Sequence, residues 1–255
     1  MKALVLTSSS PRHLFFVQQA ARYFEVAAVL CEEKRNYYVK QREESEVVRA
    51  HFEKNAAAER ECFYDLSPDW QVGMRKVADI NSPEVMQWAS KCEVDVVCLF
   101  GTSILQAPWL ASFPGRIVNL HLGLSPWYRG SATLFWPFAD AAVEFLGTTI
   151  HLAIEKVDAG AILHRIRPTL RPAENYYQLT HRLIRESIEA FPEVVMRYLD
   201  GTLLPRAQES VAGRICRKAD FNELALERAL SYVGDGFTPK EIQRAERAAQ
   251  CLCLP

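Results

Sequence analysis

No stretch of the 255 residues approaches the ~20 consecutive apolar residues that a helix needs to cross a bilayer. The N-terminal MKALVLTSSSPR has an apolar run too short for a signal peptide and reads as a first strand. Excess charge is also missing. The formal net charge is −1, so bulk electrostatics do not point to nucleic acid or an anionic membrane. There is no internal repeat, no low-complexity tract and no Gly-x-Ser-x-Gly elbow. Paired Cys or His at metal-ligand spacing are absent as well, so no metal site is expected. The seven cysteines (Cys31, Cys62, Cys92, Cys98, Cys216, Cys251, Cys253) are odd in number and scattered. They read as reduced thiols of a cytoplasmic protein rather than as staples. Cys251 and Cys253 form a Cys-x-Cys pair, but two further ligands are lacking nearby.

What is present is an ordinary globular composition, 49% apolar and 24% charged, which supports a sizeable core. Lys2–Leu6 reads as a strand, 11–23 as a helix opened by Ser10 and Pro11, and Val26–Cys31 as a second strand. The highly charged stretch 32–62 reads as one long exposed helix or an insertion. Ser82, Pro83 and Glu84 mark another helix start. Val94–Phe100 is a near-continuous apolar run, as expected of a central parallel strand buried on both faces. Strands follow at 117–122, 148–153 and 161–170, with a helix at 131–142 and a long one ending near Gly201. The alternation predicts an α/β fold, a mostly parallel Rossmann-like sheet with helices on both faces. In such sheets ligands bind beyond the C-terminal strand ends. That places GTSIL, HLGLSPWYRG and EKVDAG around one cleft.

The stretch VNLHLGLSPWYRG, 118–130, sets an amide and an imidazole two apart on an apolar strand. Residues i and i+2 share a face, so Asn119 and His121 project together. Buried polar side chains need partners or a task. Downstream come GTTIHLAIEKVDAG and then AIL. Asn-x-His, a Pro-containing loop ending in Arg-Gly, Thr-Ile-His and Asp-x-Gly, in that order, resemble the 10-formyltetrahydrofolate-dependent formyltransferases. That family includes the glycinamide ribonucleotide, methionyl-tRNA and sugar N-formyltransferases. The resemblance covers roughly residues 1–200, with its specific motifs within 97–163. It implies a catalytic trio of Asn119, His121 and Asp158 and N10-formyltetrahydrofolate as co-substrate. It also implies a folate-binding main chain at Thr102, Ser103, Ile104 and Leu105, with Val157 and Ala159 as the other wall. One departure stands out: HLGLSP replaces the His-Pro-Ser-Leu-Leu-Pro of many members. Gly123 and Pro126 supply flexibility and a fixed φ for that loop.

These residue types suit acyl transfer. Negative charge develops on the formyl oxygen and needs donors, which the Asn119 amide and a protonated His121 supply. Asp158 can hold His121 cationic and relay the proton of the attacking amine. By its residues alone, Asp158 reads first as a turn former before Gly160, and the resemblance is what favours catalysis. His151 reads as a satisfied structural histidine of an alternating strand, and His13, His51, His164 and His181 belong to no constellation. Phe135 and Trp136 read as packing, whereas Trp127 and Tyr128 either pack or stack on a substrate ring. Arg129 either pairs with an anionic substrate group or braces the loop through backbone carbonyls. Ser9, Ser10 and Arg12 either cap the first helix or receive the acceptor's phosphate at its N-terminus.

The expected domains are a catalytic 1–201 and a C-terminal extension, 202–255. Only about 55 residues after Gly201 and a net charge of −1 argue against a tRNA substrate. The leading reading is N-formylation of a primary amine on a small molecule, such as a nucleotide-linked amino sugar. Hydrolysis of 10-formyltetrahydrofolate and folate binding without turnover are the alternatives. Nucleic acid and membrane are not expected as partners, and a homodimer is the one assembly the reading admits.

Overall fold

The computed structural model describes residues 1–33, 39, 43, 45–66 and 73–251. Strand β1 (Lys2–Thr7) is buried from Ala3 onward. Helix α1 (Pro11–Tyr23) starts at the expected place, with Pro11 in its first turn, but the Ser10 hydroxyl makes no cap bond. β2 (Glu25–Glu32) pairs parallel with β1. Within the charged stretch, α2 (Glu46–Cys62) is capped by Ser45, whose hydroxyl accepts from the Val48 N–H. It is not exposed all round, because Val48, His51 and Glu59 are buried. The part of that expectation at 34–38, 40–42 and 44 lies outside the described residues, as do Cys253 and the side chain of Cys251.

A short edge strand, β3 (Met74–Val77), pairs with β2 and had no clear apolar signature. Helix α3 (Pro83–Ala89) is capped by Ser82 as expected. β4 (Val96–Leu99) is buried at every position, and α4 (Ala107–Ser112) follows its loop. β5 (Ile117–His121) pairs parallel with β4. β7 (Thr148–Leu152) and β8 (Ile162–Ile166) then add antiparallel strands, giving the order β3-β2-β1-β4-β5-β7-β8. The sheet is therefore parallel through β5 and antiparallel at one edge. Apolar side chains bury against helices on both faces, one core around Phe15, Phe16, Phe138 and Phe191, the other around Trp109, Ile80 and Phe113.

The expected helix at 131–142 shrinks to α5 (Trp136–Ala139), followed by a 3-10 turn at Val143–Phe145. Ala132 and Ala141 at φ +54° and +52° interrupt helical geometry on both sides. The strand expected at 161–170 stops at Ile166, where Arg167 precedes Pro168, which has no N–H to donate. The long helix α6 (Tyr176–Leu199) starts with a capping box between Asn175 and Gln178.

Beyond Gly201 come β9 (Arg214–Cys216), α7 (Glu223–Val233) and α8 (Pro239–Cys251). Phe221, Leu226, Ala229 and Phe237 join the same buried cluster as the sheet face. Residues Tyr128–Gly130, read from sequence as loop, form β6 and pair parallel with β9. Among the described residues no helix is long and apolar enough to cross a membrane. Cys31, Cys62, Cys92, Cys98 and Cys216 are free thiols.

Candidate active site

Strand β5 places the first two functional side chains. Val118 and Leu120 enter one core while Ile117 enters the other, so Asn119 and His121 share the Ile117 face. The antiparallel register then sets His151 of β7 directly opposite Asn119. Directly opposed side chains on a sheet face are in reach of each other. Asn119 Nδ2 lies 3.1 Å from His151 Nε2. His151 Nδ1 lies 2.9 Å from the Leu152 carbonyl, which can only accept, so Nδ1 carries a proton.

Asp158 arrives from the loop after β7, at φ +49°. Its Oδ2 lies 3.4 Å from His121 Nδ1 and accepts the Gly130 N–H at 2.9 Å. Its Oδ1 lies 3.5 Å from His151 Nε2. The sequence reading made His151 structural; it is satisfied by hydrogen bonds, and it also stands between Asn119 and Asp158. Only the β5–β7 register could have revealed this, and a register is not visible in one strand's pattern.

His121 is buried, and its Nε2 lies 3.0 Å from the Tyr128 carbonyl. Burial pushes the imidazole below its ordinary value, and Asp158 is the largest influence pushing back. Burial and the Asp158 carboxylate thus pull the imidazole in opposite directions. The Asp158 carboxyl is also raised by burial, but His121, His151 and the Gly130 N–H together overcome it and bring it to about 2. The site at rest thus pairs an ionised carboxylate with an imidazole whose two ring nitrogens face oxygens. A proton gained during reaction would find an acceptor on either side.

Gly123 allows this packing by its size, not by flexibility. A Cβ there would meet His121 Nε2 at 2.5 Å and the Tyr128 carbonyl at 2.6 Å. Gly130, at φ +98°, brings its N–H to Asp158 while a Cβ would meet the Cys216 carbonyl at 2.3 Å.

The loop after β4 forms the adjoining wall. Glu32, buried at the end of β2, accepts the Ser103 N–H at 2.6 Å and the Ile80 N–H at 3.0 Å. Asn81 donates to the Ile104 carbonyl at 3.1 Å and accepts the Gln106 N–H at 3.0 Å. The Thr102 hydroxyl donates to the Ser103 carbonyl. Among the described residues neither the N–H nor the C=O of Leu105 has a partner. Ile104 is 66% exposed and Val157 38%, a cost in water that an apolar ligand surface would relieve. Ala159 sits beside Val157, half-buried.

The remaining candidates divide. Trp127 packs on Phe145 and under the Arg165 guanidinium, and the Tyr128 hydroxyl donates to Asp140, so both rings are committed to packing. Arg12 is bound at its guanidinium and its main-chain N–H by Glu59, which takes it away from a substrate. Ser9 is exposed and Ser10 half-buried at the start of α1, and the neighbouring Ser8 hydroxyl is buried without a partner. The Arg129 side chain makes no ion pair or hydrogen bond among the described residues, so it does not brace its loop through carbonyls.

A family model described as Formyl transferase matches residues 1–195. The chain is 30% identical over 149 residues to the trifunctional purine biosynthetic protein adenosine-3 of Gallus gallus, covering 58% of this chain and 14% of that protein. It is 29% identical over 163 residues to a methionyl-tRNA formyltransferase of Synechococcus sp. (strain JA-3-3Ab), covering 60% of this chain and 48% of that protein. The chain therefore spans less than two thirds of the length of both curated relatives. A sugar N-formyltransferase structure from Shewanella sp FDAARGOS_354 superposes with a TM-score of 0.61 over 94% of each chain, at 15% identity. Such an identity speaks for the fold alone.

Proposed function

The chain belongs to the formyl transferase family, and from that premise we propose that it moves the formyl group of N10-formyltetrahydrofolate onto a primary amine of a small-molecule acceptor, with a nucleotide-linked amino sugar as the leading candidate. The observation that carries this reading is the convergence of Asn119, His121 and Asp158, from a strand and a distant loop, at one end of the sheet. The residues present suit a folate. Leu105 offers an unpaired N–H and C=O on a loop fixed from two sides by Glu32 and Asn81. Ile104 and Val157 offer exposed apolar surface for a flat ring. The folate supplies an activated formyl carbon.

The protein's own part is charge and proton handling. The Asn119 amide, 3.1 Å from His151 Nε2, can donate to the formyl oxygen as charge develops there. The amine nitrogen must lose a proton once it has attacked. Asp158, ionised, can accept it directly or through a water and pass it to His121 Nδ1. His121 then becomes the cation, held by Asp158 and the Tyr128 carbonyl, and can give a proton to the departing folate nitrogen. No net proton is consumed within the site.

On the acceptor side, three features favour an anionic group. These are the α1 N-terminus and, partnerless among the described residues, the Ser8 hydroxyl and the Arg129 side chain. A nucleotide-linked sugar carries such a group beside its amine. Our reading keeps the reaction in the cytoplasm, without nucleic acid or membrane.

The test is formyl transfer to a panel of nucleotide-linked amino sugars, ribonucleotide amines and amino acids. Background transfer to all of them, with folate-analogue binding intact, would sink the reading; formate release without any amine would favour hydrolysis. Within the same assay, Asn119→Ala should lower turnover by ~10²–10³ while leaving folate binding nearly unchanged.

A further inference from the structure

Gln208 lies beyond the segment that matches the family model, and no sequence motif includes it. Its carboxamide nitrogen donates to the main-chain carbonyls of Asp158, at 2.8 Å, and Gly160, at 2.9 Å. An amide has two N–H groups, so both bonds can be made at once. The two carbonyls flank Ala159, and Asp158 itself stands in the left-handed region, which a non-glycine residue holds only when its surroundings demand it.

The segment that carries Gln208 is itself tied down. Arg206 and Ile162 exchange two main-chain hydrogen bonds, at 2.7 and 2.8 Å. The Arg165 guanidinium, buried under Trp127, forks onto the Glu209 carboxylate. The Arg214 N–H donates to the Trp127 carbonyl at 2.7 Å, and β9 then runs beside β6. Residues 206–216 thus grip both loops that meet at His121. One loop brings Asp158. The other brings the Tyr128 carbonyl and the Gly130 N–H.

We propose that Gln208 is a positioning residue, which fixes the main chain of Asp158 so that its carboxylate stays against His121 and His151. Its consequence for turnover rests on the function proposed above; its consequence for geometry does not. The Gln208 side chain acts on the loop and not on a reacting atom. Loss of its donors lets the Asp158 turn relax away from the left-handed region, and the carboxylate swings with it.

The experiment compares Gln208→Ala, Gln208→Glu and Gln208→Lys with the wild type and Asp158→Asn. Glutamate keeps the shape but turns an acceptor on two carbonyls; lysine restores a donor at similar reach. Two quantities are read on each folded protein, turnover and the NMR titration of the His121 ring. His121 faces Asp158, with His151 and Arg129 further off. Turnover should fall roughly tenfold in Gln208→Ala and further in Gln208→Glu, and recover in part in Gln208→Lys. In Gln208→Ala, which adds no charge, the His121 titration should move down, because the carboxylate that opposes desolvation has drawn back. A folded Gln208→Ala protein with an unmoved His121 titration would overturn the proposal, whatever its turnover. Should Gln208→Glu not fold, the alanine variant decides alone. If Asp158→Asn turns over normally, the proposed chemistry fails, and the titration still decides whether Gln208 holds the loop.

Discussion

At the scale of the residue, one carboxylate carries most of the proposed chemistry. Asp158 is largely buried, and it accepts from Gly130 while facing two imidazoles. Asp158→Asn keeps an oxygen for the Gly130 N–H and preserves the volume, so the fold should hold. Turnover should fall by ~10²–10⁴, the range of a lost acid–base group, because an amide accepts no proton. Folate affinity should hold, since the loss acts on the transition state. Steady-state kinetics with circular dichroism as control check this; wild-type turnover in a folded variant would reduce Asp158 to a turn former. His121 supplies the contrasting lesson. Its neighbour's charge favours a cation, and its burial opposes one.

At the scale of the element, the site depends on what holds its loops. Glu32 ends β2, yet it binds the N–H groups of Ile80 and Ser103, 48 and 71 residues away in sequence. Glu32→Ala would leave two N–H groups without their acceptor, at a cost of about 1–3 kcal/mol. That energy is spent on the loop expected to hold the folate. The Michaelis constant for the folate should rise roughly tenfold, with turnover little changed. Titration of a folate analogue by tryptophan fluorescence measures the same effect at equilibrium. A tenfold fall in turnover with unchanged folate affinity would contradict it.

At the scale of the whole molecule, buried histidines tie stability to pH. His51 of α2 packs among Phe52, Tyr176, Tyr177 and Phe221, joining the helical face to the C-terminal segment. Burial, helped by Lys54, pushes it down from 6.5 to about 4. His121, His164 and His181 shift in the same direction, each chiefly through burial. Between pH 6.5 and 4 the unfolded chain binds protons that the folded one refuses, so stability is full above 6.5 and falls on acidification. His51 alone accounts for about 3 kcal/mol across that window. Thermal unfolding should therefore show a midpoint that drops steadily from pH 7.5 to pH 5. A flat or rising midpoint would mean that these rings are solvated.

Much of this was set by local chemistry. The apolar run at 94–100, the Ser-Pro helix starts and the period-2 placement of Asn119 and His121 follow from rules that act within a few residues, so the sequence alone determined the α/β order and two of the three candidate side chains. The motif order added Asp158. Distant partners were decided only by folding. The β5–β7 register set His151 against Asn119. A strand with only three residues, β6, became a strand because β9 lay beside it. The Tyr128 carbonyl and the Gly130 N–H are main-chain atoms, and the Glu32 and Gln208 side chains bind main-chain atoms, which every residue type carries and no pattern marks. The protonation of His121 also belongs to the tertiary structure, since desolvation depends on everything packed around a ring and not on the ring's neighbours in the chain.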